Sequence, residues 1–214
     1  MKRITFMAAA LSLGVFMSSC GGGEAPKQPE TPETQAPEAS APAEKMTHSI
    51  DLATSVVNWE GTMMGMYSHS GTINLTEGSL VTEGNNITGG SFTVDMASMA
   101  ATDENYDASK DQTPEKLVGH LSSPDFFDVA NNPTASFEIT GANEGNTEIM
   151  GTLTIRGKSN AATVKDVVFN AENGTATGSL TFNRKDYDVM FDMPVQEMVL
   201  SDDVVLNIQL AVAK

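Results

Sequence analysis

The stretch Ile149-Met150-Gly151-Thr152-Leu153-Thr154-Ile155 puts Ile149, Gly151, Leu153 and Ile155 at every second position and runs straight into Arg156-Gly157. A period of two is the pattern of a β-strand with one face buried and the other wet, and a turn dipeptide directly after it reads as a hairpin. Working outward, the same alternation recurs in Ser91-Phe92-Thr93-Val94-Asp95-Met96 and in Ala135-Ser136-Phe137-Glu138-Ile139. It recurs again in Leu180-Thr181-Phe182-Asn183-Arg184 and from Val204 to Val212. Glu77-Gly78, Glu83-Gly84-Asn85-Asn86, Gly145-Asn146 and Glu172-Asn173-Gly174 stand between these runs as further hairpin punctuation. About eight strands with short connections predict an all-β domain, either a closed barrel or a sandwich.

One segment departs from that period. Thr113-Pro114 offers an N-cap residue followed by proline at the first helical position, and Leu117, His120 and Leu121 then share a helical face. Ser123-Pro124-Asp125-Phe126-Phe127 repeats the start signal for a short second turn. A small helical insert near residues 113–128 is expected, either as a lid on one end of a barrel or as cover for a sheet edge.

The N-terminus carries a different message. Lys2 and Arg3 precede an apolar run from Phe6 to Met17, and Ser18-Ser19-Cys20 follows. That is the order of a secretory signal peptide, and the run falls short of the ~20 apolar residues that span a bilayer. Met17-Ser18-Ser19-Cys20 resembles the lipobox of bacterial lipoproteins, so residues 1–19 are expected to be removed and Cys20 to be acylated. Cys20 is the only cysteine, which leaves no disulfide for the fold. Residues 20–45, dense in Pro, Glu and Ala, have too little apolar surface to offset ordering and are expected to form a disordered tether. Residues 46–214 then form one domain. Without Lys2 and Arg3 the chain holds ten basic against 28 acidic residues, a net charge of −18. Such a surface argues against nucleic acid as a partner. Gly21 after Cys20 lacks the aspartate of inner-membrane retention, which points to a lipid anchor in the outer membrane facing the periplasm.

Six blocks in order carry a resemblance. They are Ser68-His69-Ser70-Gly71-Thr72-Ile73, Gly90 to Met96, Leu117 to Val129, Pro133 to Phe137, Gly151 to Gly157, and Phe182-Asn183-Arg184-Lys185-Asp186-Tyr187. From about residue 50 to the C-terminus the chain resembles the YceI-like family of exported bacterial proteins. The resemblance implies an eight-stranded antiparallel barrel of lipocalin type with an apolar tunnel. It also implies a long polyisoprenoid ligand, of quinone or prenyl pyrophosphate type, and brings no catalytic residues. The chain departs from the family's pattern in Met63-Met64-Gly65-Met66, where relatives carry Lys or Arg, and in the acidic loop from Asp103 to Asp111.

Candidate ligand-binding residues follow from that reading. Trp59, Phe92, Phe137, Phe169 and Phe182 are expected to line the tunnel, with Phe126 and Phe127 closing it from the insert. Tyr67, His69 and Arg184 are expected near a head group, and His120, on the apolar face of the insert, joins the candidate ligand-binding residues. Arg184 shares parity with Leu180 and Phe182, and a buried guanidinium needs a partner: a ligand head group, or a structural pair with Asp186 or Asp188. His48, His69 and His120 are far apart in sequence and make a poor metal set. The methionines fit flexible lining better than a copper site. Neither a Gly-x-Ser-x-Gly elbow nor a phosphate-binding glycine loop occurs. The expectation is therefore a non-enzymatic carrier needing no cofactor. A packed envelope scaffold or stress protein stands as the alternative, and a homodimer stays open.

Overall fold

The computed structural model describes residues 43–64, 66–192 and 199–213, so the leader, Cys20 and nearly all of the tether lie outside the described residues. The strands are β1 (Lys45–Ser49), β2 (Val56–Met64), β3 (Tyr67–Glu83), β4 (Asn86–Ala101), β5 (Thr134–Ala142), β6 (Ile149–Ile155), β7 (Lys158–Asn170), β8 (Thr175–Asn183) and β9 (Val199–Ala211). All pairings are antiparallel, and β2 closes the circuit by pairing with both β3 and β9.

Nine strands make an eight-stranded barrel because β1 and β2 share one place in it. β2 covers the first half of β3, from Met63 opposite Tyr67 to Val57 opposite Ile73, and β1 covers the second, from Ser49 opposite Ser79 to Lys45 opposite Glu83. The break at Asp51–Ser55 keeps its backbone satisfied, as closure requires. The Asp51 amide donates to the Ala211 carbonyl at 2.8 Å, and the Ala211 amide donates to Ser55 Oγ at 2.9 Å.

Glu77-Gly78 proves not to be a turn. It lies within β3, where the register against β4 shifts between Leu75 and Glu77. The bulge lets a 17-residue strand coil round the barrel without ending. Arg156-Gly157 is a true hairpin, with φ of 49° and 69° as a two-residue turn of the primed kind demands. Inward alternation holds in β6, where Ile149, Gly151, Leu153 and Ile155 are buried between exposed or half-buried neighbours.

The helix α1 spans Pro114–Ser122, with the Thr113 side chain accepting from the Lys116 amide and Pro114 in the first turn. The second start signal yields only a hydrogen-bonded turn, in which the Phe126 amide donates to the Ser123 carbonyl at 3.0 Å. The β4–β5 ladder ends at Asp95 opposite Thr134 while β4 runs on to Ala101, and α1 packs beside β4. Leu121, Phe126 and Phe127 are buried against the same end of the barrel, so the insert both flanks a strand and caps an end. This helical end also receives the β2–β3, β6–β7 and β8–β9 connections. At the far end Asn146 ties two loops together, accepting from the Ile87 amide at 2.9 Å and donating to the Asn85 carbonyl at 3.0 Å.

Candidate functional site

The barrel interior is not filled. A cavity of about 450 Å³ runs along it, lined from Leu80, Ile87 and Ile149 near the far end to Met63, Leu117 and Leu200 at the helical end. Leu80, Ile87 and Ile149 are only 3–4 % exposed and shut the far end. Small residues keep the axis open: Gly61, Gly71, Gly151, Ala176 and Gly178 all face inward. Gly71 and Gly151 make room for large rings. A Cβ on Gly71 would lie 2.5 Å from Trp59, and one on Gly151 would lie 2.3 Å from Phe137. Gly61 is different, since a Cβ there meets nothing within 4 Å and would project into open cavity.

The structure brings most of the expected lining residues together. Trp59, Phe92, Phe137 and Phe182 line the middle of the cavity. Phe126 and Phe127 close the helical end with His120, whose ring meets Phe126 edge-on at 5.5 Å. Phe169 packs against the core but does not line the cavity, which corrects the sequence expectation. It lies beyond a register shift between Lys165 and Val168, where Asp166 takes a φ of 52°. Phe191 was not anticipated. It stacks edge-on against His120 at 4.5 Å and joins the same aromatic closure. Nothing in the sequence pattern marks Phe191, because it follows a 3-10 turn rather than sitting in a strand.

Arg184 is 1 % exposed and does border the cavity, but it is the first residue of that 3-10 turn (Arg184–Tyr187), not the last of β8. Its partners are neither Asp186 nor Asp188. Nε donates to the Ser201 carbonyl at 3.2 Å, Nη1 to the Val189 carbonyl at 2.8 Å, and Nη2 to Asp202 at 2.9 Å, with Asp192 at 3.5 Å. These bonds hold the β8–β9 connection onto the barrel. Lys185 doubles the contact to Asp202 at 3.0 Å.

A second polar cluster stands where β3 meets the acidic loop. His69 Nδ1 lies 3.1 Å and 3.2 Å from the two carboxylate oxygens of Asp103. The same carboxylate accepts from the Ser70 amide at 2.9 Å, the Asn105 amide at 2.9 Å and the Tyr106 hydroxyl at 2.9 Å. Tyr106 stacks on the His69 ring at 4.8 Å, and Tyr67 meets its edge at 5.0 Å. Burial works against charge on Asp103, but the hydrogen bonds outweigh it and hold the carboxyl below its usual range. Burial and the neighbouring carboxylate push the Tyr106 phenol up, so it stays protonated. Tyr67 and His69 line the cavity, while Asp103 and Tyr106 stand behind them. Sequence reading singled out the loop for its acidity but not these two residues, because a contact 34 positions away leaves no local pattern.

Among the described residues no three His, Cys, Asp or Glu converge as metal ligands. His48 bonds Thr82 at 2.9 Å across β1 and β3. Met63 lines the cavity, whereas Met64 and Met66 are 58 % and 56 % exposed, so the three thioethers do not converge.

Known proteins share this architecture. The crystal structure of BcnA from Burkholderia cenocepacia superimposes with a TM-score of 0.54 at 22 % identity, covering 77 % of this chain and 99 % of that one. A domain from Saccharophagus degradans, described as polyisoprenoid binding and implicated in plant cell wall breakdown, aligns with a TM-score of 0.49 at 12 % identity, covering 77 % of this chain and 97 % of that one. A UPF0312 protein of Pseudomonas aeruginosa is 35 % identical over 83 residues, which is 35 % of this chain and 44 % of that protein. The chain thus spans less than half the length of the curated relatives it matches. The profile of the YceI-like domain matches residues 48–212, from the first strand of the barrel to the last, and the chain belongs to that family.

Proposed function

We propose that this barrel is a carrier that shelters one long isoprenoid chain along its axis and performs no chemistry on it. The observation that carries this reading is the unfilled cavity, apolar along its length, with polar groups gathered at the helical end. A packed scaffold would fill that space, since protein interiors close-pack and voids cost stability. Burial is sufficient as a mechanism. At ~25 cal/mol per Å², covering roughly 400 Å² of apolar ligand releases ~10 kcal/mol. Against that stands a cost of immobilising the ligand of roughly 4–15 kcal/mol, so affinity depends on how much of a long chain is covered. Entry is assigned to the helical end, where the lining includes half-buried Tyr67, His69, Leu117 and Leu200 beside the aromatic closure, whereas Leu80, Ile87 and Ile149 at the far end are nearly inaccessible.

Location forms part of the proposal. The leader and Met17-Ser18-Ser19-Cys20 support export, acylation of Cys20 and anchorage in the outer membrane on its periplasmic side. Several acyl chains on one residue meet the two-signal requirement for stable anchoring. The decisive experiment is mass spectrometry of organic extracts of the purified protein, with binding of added prenyl lipids measured alongside. Co-purified isoprenoid at near one mole per mole is expected. Protein that carries no extractable lipid and binds no prenyl chain rules the carrier out.

A further inference from the structure

Resting on the carrier reading, we infer that the ligand's head group is an uncharged hydrogen-bond donor, a hydroxyl at the end of the isoprenoid chain, received by Nε2 of His69, and that the site rejects a pyrophosphate. Two independent observations meet here.

The first is the tautomer of His69. The Asp103 carboxylate accepts from two backbone amides and from the Tyr106 hydroxyl, four-way crowding that includes His69 Nδ1 itself. An ionised carboxylate has no proton to give, so the hydrogen between it and the imidazole belongs to Nδ1. With its Nδ1 hydrogen directed at Asp103, the imidazole has its lone pair on Nε2, for which no hydrogen-bond partner occurs among the described residues. Stacking by Tyr106 and the edge contact of Tyr67 fix the plane of the ring at the cavity wall. A lone pair at an otherwise apolar wall selects a donor, because an acceptor placed opposite it would leave both without a hydrogen bond once a ligand displaces water from the cavity.

The second observation concerns charge. Every lysine and arginine of the described helical end is already engaged. Arg184 and Lys185 face Asp202 and Asp192. Lys158 pairs with Asp188 at 2.9 Å, Lys110 with Asp107 at 3.0 Å, and Lys116 with Asp111. Arg156 Nη1 is spent on the carbonyls of Phe126 and Asp188 at 2.7 Å and 2.8 Å. Lys45 lies on β1 towards the far end, beside the β3–β4 turn, and Lys165 on the outer face of β7. A pyrophosphate at this mouth would meet a carboxylate beside Arg184 and beside each lysine of this end, with Arg156 already bridging two carbonyls through Nη1, and a multiply charged group with so few free partners is costly to desolvate. The donor class contains both a prenyl alcohol and the phenol of a reduced prenylquinone.

The test uses delipidated full-length protein and four probes of equal tail length: a prenyl alcohol, its diphosphate, and a prenylquinone in its oxidised and reduced forms. The alcohol and the hydroquinone are expected to bind at least tenfold more tightly than the diphosphate and the oxidised quinone. Which of the two donors binds more tightly identifies the source of the hydroxyl. If none of the four binds, the carrier reading itself falls, and the head-group assignment with it. Equal affinity for all four keeps the carrier and overturns the head-group assignment, as does tightest binding of the diphosphate. A second measurement needs no variant. Nitrogen-15 NMR of histidine-labelled protein at neutral pH should show His69 protonated on Nδ1 alone, and an Nε2–H tautomer or an imidazolium would overturn the inference. Finally, Asp103→Asn can donate to Nδ1 and move the proton to Nε2, so its preference should swing towards the oxidised quinone. An unchanged preference in a folded variant would overturn the assignment.

Discussion

Asp103 is a residue whose worth depends on pH in a direction that can be stated. Its carboxyl is held below the unfolded value, so its contribution is present above ~3.9 and is lost as pH falls through the folded value. Tyr106 works from the other side. Its phenol is held above the unfolded value, so its contribution is complete below ~10 and fades as pH rises beyond that. Urea unfolding of wild type and Asp103→Asn should therefore differ most near neutrality, with the gap narrowing towards pH 3. A constant gap across that range would show that Asp103 acts through shape and not charge. Two glycines give a second contrast. Gly151→Ala drives a methyl group into the Phe137 ring and the Glu138 carbonyl, which lies 2.5 Å away, and should cost about 1–3 kcal/mol. At Gly61 a Cβ meets nothing within 4 Å, and Gly61→Val removes backbone freedom from the unfolded strand, so its melting temperature should hold or rise. Its side chain occupies the tunnel, so bound lipid per mole of folded protein should fall. Stability and binding moving together in Gly61→Val would contradict an open axis at that point.

At the scale of elements, the 3-10 turn at Arg184 fastens the β8–β9 connection through two carbonyls and two carboxylates. Arg184→Met leaves the Val189 and Ser201 carbonyls without their donor, while Asp202 and Asp192 stay open to water, and about 1–3 kcal/mol of stability should go with it. Chemical denaturation measures this directly. A variant that melts like wild type but loses lipid would return Arg184 to the head group. How far the elements could be read in advance follows from where their determinants lie. Ile149–Ile155 was legible because each residue reports its own side of the sheet, and α1 because Thr113 and Pro114 act within one turn of themselves. Glu77-Gly78 misled because a glycine inside a bulge and a glycine in a hairpin look alike in sequence. Phe169 misled because its direction and its depth are separate matters: it faces inward in phase with Val167 and opposite Ala176, yet packs against the core without reaching the cavity. The partners of Arg184 and of His69 were not legible at all, since tertiary contacts and not spacing choose them. Tunnel-facing aromatics were largely legible, since parity along regular strands survives closure of the barrel.

For the whole molecule, the acidic, proline-rich N-terminal segment should be separable from the barrel. Removing residues 21–42 should leave the melting temperature of the domain nearly unchanged, because that composition offers no core residues. In cells, Cys20→Ser should shift the protein from the membrane to the soluble fraction or leave an uncleaved precursor, and persistence of an N-terminal lipid on the variant would contradict the anchor. The closing seam of the barrel has a consequence in time. β2 is held by β9 from Val56 opposite Gln209 to Met64 opposite Val199, so the first full strand waits for the last. Contacts of such high sequence separation make folding slow, because the entropy of closing the loop is lost before the pairing repays it. No tunnel exists while the chain is still being made. On the carrier reading, cargo can be loaded only after synthesis has ended, which makes loading a property of the finished protein and leaves the nascent chain empty.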